Sequence, residues 1–66
     1  MNVKINDKAI LLPENATLQE ALDNQNIKLQ GIATAVNGSV IPAVERVTTQ
    51  LNDGDSIVII KAFYGG

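Results

Sequence analysis

The chain has 66 residues. That is enough for one small domain, which buries only about 60% of the surface its unfolded chain exposes and leaves little room for an enclosed catalytic cavity. It contains no cysteine and no histidine, which excludes disulfides, thiolate metal sites and cysteine nucleophiles, and with them Ser-His-Asp or Cys-His catalysis within this chain. Seven acidic against five basic residues give a net charge of −2, and the scattered bases and two aromatics argue against a nucleic-acid footprint.

The N-terminus, Met1 to Ile5, alternates polar and apolar residues, which predicts a first strand rather than a signal peptide. Asn6-Asp7-Lys8 reads as a turn, because Asn and Asp tolerate left-handed backbone. Ala9 to Leu12 then predicts a second strand in an antiparallel hairpin, ended by Pro13, which cannot donate to a ladder. Thr17 followed three residues later by Glu20 is a capping box that opens a helix. Leu18, Ala21 and Leu22 share one face of it. The helix is expected to run about ten residues, marginal in isolation, and to fray in the Asn24-Gln25-Asn26 cluster. Ile27 and Leu29 are expected to close the core edge below it.

Ile32 to Val36 predicts a third strand, and Asn37-Gly38 is a strong hairpin signal, since a type I′ turn needs positive φ at both central residues. Val40-Ile41 follows as a short fourth strand, cut by Pro42. Ala43 to Gln50 fits either a turn of helix or a short edge strand around Val47–Thr49. The turn Asn52-Asp53-Gly54-Asp55 launches a last strand, Ser56 to Ala62. Its run Ile57-Val58-Ile59-Ile60 is apolar on both faces, as a central strand buried on both sides requires. The first and last strands are therefore expected to pair at the centre of a mixed sheet with one helix packed on one face. This is an α+β domain with a ubiquitin-like β-grasp architecture, spanning residues 1–66. No apolar run approaches the length of a membrane span, and a soluble, cytoplasmic protein, monomeric when free, is expected.

The chain finishes on Phe63-Tyr64-Gly65-Gly66. Glycine adds no packing and loses the most backbone entropy on ordering, so the pair does not stabilise a fold. It offers a slender terminus able to enter a narrow slot, ending in a carboxylate that is ionised at neutral pH. Read alone, the tail fits a functional terminus or an ordinary frayed end.

Taken together, several motifs resemble the ThiS family, the small sulfur carriers of thiamine biosynthesis. They are Ala35-Val36-Asn37-Gly38 with Val40-Ile41-Pro42, the Asp53-Gly54-Asp55 turn before the last strand, and the terminal Gly65-Gly66. Each is weak alone; their joint order and spacing cover the whole chain. One departure is that Ala43 follows Pro42 where family members often carry a basic residue, and Arg46 comes later. The resemblance implies a protein co-substrate rather than an enzyme. An E1-like adenylyltransferase of the ThiF type would adenylate the Gly66 carboxylate. A persulfide donor would convert it to a thiocarboxylate, and a thiazole synthase of the ThiG type would receive the sulfur. No cofactor would be bound by this chain, ATP and Mg²⁺ being supplied at the activating enzyme. By similarity to ubiquitin-like domains, Ile57 and Ile59 face inward. Val58 and Ile60 join Ala33 and Ala35 in an apolar patch for partners, and Phe63, Tyr64 and Gly65 contact them too. Phe63 fits an anchor or a core plug equally. Three other readings share these features: a sulfur carrier for molybdopterin synthesis, a ubiquitin-like protein modifier, and a plain interaction module.

Overall fold

The computed structural model describes residues 1–61. The expectations placed on Ala62, as the end of the last strand, and on Phe63 to Gly66, as a flexible tail, lie outside the described residues. Strands β1 (Asn2–Ile5) and β2 (Lys8–Leu11) form an antiparallel hairpin. Asn6 and Asp7 both have positive φ, 46° and 70°, so the connection is a two-residue turn. That turn sets Lys8 opposite Ile5, one residue earlier than the sequence pattern placed the second strand.

Helix α1 (Leu18–Asn24) follows, then β3 (Ile32–Val36), β4 (Ser39–Ile41), a single 3₁₀ turn (Ala43–Glu45) and β5 (Ser56–Lys61). The five strands form one sheet of order β2-β1-β5-β3-β4. β5 is central, parallel to β1 and antiparallel to β3. With one helix across a mixed sheet this is the β-grasp arrangement. Leu18, Ala21 and Leu22 of α1 are fully buried against Val3, Ile5, Ile10 and Ile57 on one sheet face.

The helix is shorter than expected, and its end explains why. Asn26 adopts φ 56°, Ile27 N donates to Leu22 O at 3.1 Å and Asn26 N donates to Asp23 O at 3.1 Å. These are the two bonds of a Schellman cap with Asn in the left-handed position. Ile27 packs against the core as that cap's apolar partner, whereas Leu29 is exposed and does not close the core edge as expected.

The helix start differs from the expected capping box in one bond. Thr17 Oγ1 accepts from Glu20 N at 3.2 Å, but the Glu20 carboxylate receives the Thr17 hydroxyl rather than a backbone amide. The remaining free amides of the first turn are met by the segment that the sequence left open. Leu18 N donates to Thr49 O at 2.8 Å and Gln19 N to Arg46 O at 3.0 Å. Residues 43–50 therefore contain the turn of helix and no edge strand at Val47–Thr49; Gln50 makes a single bridge to Thr17.

Candidate functional site

The site is organised by β5, whose start is clasped by two turns. Gly54 (φ 88°) donates its amide to Asn2 O at 2.7 Å, and Asn2 N donates to Asp53 Oδ1 at 2.6 Å. Asp55 accepts from Asn52 N at 2.7 Å and from Asn37 Nδ2 at 2.9 Å. Asn37, at φ 50° in the hairpin turn, also takes Ser56 N on its Oδ1 at 3.0 Å. The Asn37-Gly38 and Asp53-Gly54-Asp55 motifs thus form one hydrogen-bonded clasp. Their acidic groups accept from backbone amides and, at Asp55, also from the Asn37 side chain, and among the described residues no group of three or more acidic side chains converges on a metal site.

Further along, Asn6 does what a β1 residue would do if that strand were longer. Ile59 N donates to Asn6 Oδ1 at 2.9 Å and Asn6 Nδ2 donates to Ile59 O at 3.4 Å. Register at both ends of β5 is therefore specified, and with it which side chains face which way.

Ile57 is fully buried and Ile59 packs on the core, while Val58 and Ile60 are 42% and 57% exposed on the face without the helix. Ala35 lies opposite Val58 and Ala33 opposite Ile60. Sequence reasoning missed Val40, which lies opposite Ala35 on β4 and is 72% exposed. An apolar row, Val40-Ala35-Val58, crosses three strands of the open face. The signal for Val40 was present: a two-residue Asn-Gly turn pairs Val36 with Ser39 and hence Ala35 with Val40. Val44, within the 3₁₀ turn, and Val47, just after it, are also exposed and were not singled out either.

Arg46, the base nearest Pro42, is not a surface group. Its side chain is 5% exposed; Nε donates to Thr34 Oγ1 at 3.2 Å and Nη2 to Ile32 O at 3.0 Å. It ties the 43–50 segment to β3. The candidate residues Phe63, Tyr64, Gly65 and Gly66 lie outside the described residues. β5 runs as far as Lys61, from which the chain continues to them.

The ThiS family model matches residues 2–66. The sulfur carrier protein ThiS of Escherichia coli is 27% identical over 66 residues, covering all of both chains. The sulfur carrier protein ThiS of Thermus thermophilus is 30% identical over 53 residues, 80% of this chain and 83% of that one. The crystal structure of the thiamine biosynthesis protein ThiS from Geobacter metallireducens superposes with a TM-score of 0.83 at 25% identity, covering 100% of this chain and 99% of that one. A solution structure of a thiamine biosynthesis protein from the same organism superposes at 0.74 with 23% identity, and that likeness speaks to the fold.

Proposed function

The chain belongs to the ThiS family of sulfur carrier proteins, and from that premise we propose that its Gly66 carboxylate is the atom group that carries sulfur. The observation that carries the reading is the family match over residues 2–66, which takes in Gly65 and Gly66. A carboxylate is a poor acyl donor until it is joined to a good leaving group. An oxygen of Gly66 attacks the α-phosphorus of ATP on an E1-like adenylyltransferase, and pyrophosphate leaves. The charge that develops at phosphorus needs Mg²⁺ and cationic groups, which the partner enzyme supplies. The terminal sulfur of a persulfide then attacks the acyl carbon and AMP departs. A thiol cleaves the S–S bond of the resulting acyl disulfide and leaves the thiocarboxylate. A thiazole synthase accepts sulfur from that group in thiamine biosynthesis.

In this reading the protein is a co-substrate, and its body serves to be recognised. The row Val40-Ala35-Val58 with Ile60 is the surface that meets the activating enzyme, since exposed apolar patches of this kind mark partner sites. Phe63 and Tyr64 act as aromatic anchors, and Gly65 passes a slot too narrow for a Cβ.

The test is ATP–pyrophosphate exchange on an E1-like adenylyltransferase. The full chain should support exchange, and deletion of Gly66 should abolish it with no change in the urea midpoint. Exchange that persists with the deletion variant, whose terminus is the Gly65 carboxylate, would remove the Gly66 position from the mechanism.

A further inference from the structure

Three of the five bases, Lys8, Lys28 and Lys61, are gathered at one end of the fold although they are far apart in the chain. They rim a trough below the C-terminal end of α1. One hollow of about 380 Å³ is lined by Ile5, Ile27, Ile59, Lys8 and Lys61 among others. A second, of about 480 Å³, adjoins it through Ile27 and Lys61 and adds Lys28. The floor is apolar and the rim is positive, in a protein whose net charge is −2.

The trough runs beside an open strand edge. Backbone groups of successive strand residues point to alternate sides. On β5, Ile57 O accepts from Asn6 N, and Ile59 is bonded by the Asn6 side chain, both from the β1 side. The next residue of that parity is Lys61, so its N–H and C=O face the same side. β1 has ended at Ile5 and the chain has turned away at Asn6-Asp7, so on that side no described strand lies beside Lys61, whose other side pairs with Ile32 of β3.

We propose that this edge and trough are a docking site for an extended acidic segment of a partner protein, which adds as a short strand beside Lys61. Main-chain bonds to Lys61 supply affinity, as in other strand additions. An acidic residue opposite Lys61 forms a cross-strand pair, and an apolar residue two positions away covers Ile27 and Ile59. The lysines also select the occupant. An edge lysine disfavours pairing with a second copy of the same edge, and like charges across an interface reject basic segments. This surface lies at the opposite side of the sheet from the Val58 patch and goes beyond the sulfur-carrier reading.

The test uses the isotope-labelled full chain and a capped peptide, Glu-Thr-Ile-Thr-Glu, followed by amide chemical shifts. The acidic peptide should move the amides of Lys61, Ile59, Asn6, Lys8 and Ile27. The double variant Lys8→Glu/Lys61→Glu should bind it about tenfold or more weaker, with an unchanged urea midpoint because both lysines are exposed. Backbone N-methylation of the peptide should also weaken binding. The proposal is overturned if the shifts fall on β4 or the Val58 face, or if Lys-Thr-Ile-Thr-Lys binds equally. It is overturned too if the N-methylated peptide binds as well as the parent, or if inorganic phosphate alone reproduces the shifts and displaces the peptide. Because no sulfur chemistry enters, failure here leaves the Gly66 reading standing.

Discussion

Replacing Arg46 by Met should destabilise the domain although it removes a buried charge. The guanidinium donates to Thr34 Oγ1 and Ile32 O, at 3.2 and 3.0 Å. Bonds from a charged donor contribute about 1.5–3 kcal/mol each. Against them stands the desolvation of a buried cation, several kcal/mol, which the substitution relieves. Thr34 remains satisfied in the variant, because its hydroxyl donates to Ile41 O at 3.2 Å. The part-buried Ile32 carbonyl does not, and an acceptor left without a partner away from water costs about 1–3 kcal/mol. Met keeps the apolar stem, so packing is largely preserved. The expected loss is therefore about 1–3 kcal/mol. A domain of this length has a total stability of roughly 3–10 kcal/mol, so the effect is large. Arg46→Lys should be the worse variant: a single ammonium cannot span both acceptors, and the buried charge stays. Urea unfolding followed by far-UV circular dichroism reads both, with the m-value unchanged. If Arg46→Met lies within about 0.5 kcal/mol of wild type, the range of ordinary surface substitutions, the side chain is not the tie described. If Lys is tolerated better than Met, charge rather than the guanidinium fork is what matters.

Leu22, fully buried under the sheet, should cost about 2–5 kcal/mol on replacement by Ala, enough to leave much of the protein unfolded by circular dichroism at 25 °C. Val58→Asp should weaken binding to the activating enzyme by isothermal calorimetry while moving the urea midpoint little; unchanged affinity would remove the open face as the contact. Gly65→Val should lower thiocarboxylate yield in a reconstituted assay without loss of stability, and full yield would mean the slot tolerates a branched Cβ. Asn37→Ala gives up the bonds to Asp55 and Ser56 at a positive φ, so a loss of about 1–3 kcal/mol is expected in urea titrations.

What could be read from the sequence follows where the physics resides in side chains. The run Ile57 to Ile60 announced a central strand, Thr17 and Glu20 announced a helix start, and Asn37-Gly38 announced a hairpin; all three occupy those places. The helix does end in the Asn24-Gln25-Asn26 cluster, but on a defined cap rather than by fraying, because Asn26 takes the left-handed position that glycine more often fills. Residues 43–50 were opaque for a different reason. They act through the carbonyls of Arg46 and Thr49, which every residue type possesses, and through an arginine whose burial no local pattern reveals. Of the site, alternation put Val58 and Ile60 on one face together, the resemblance to ubiquitin-like domains turned that face outward, and Val40 was recoverable from hairpin register. The lysine-rimmed trough was not recoverable, because only the folded sheet brings Lys8, Lys28 and Lys61 together.

The central claim is that sulfur resides on Gly66. Mass spectrometry of the C-terminal peptide, from protein isolated out of cells starved of thiamine, measures it directly. The account predicts a peptide ending at Gly66 in which one carboxylate oxygen is replaced by sulfur, lost when Gly66 is deleted. An unmodified carboxylate under those conditions, or Gly66 found in amide linkage to lysines of other proteins, would contradict it.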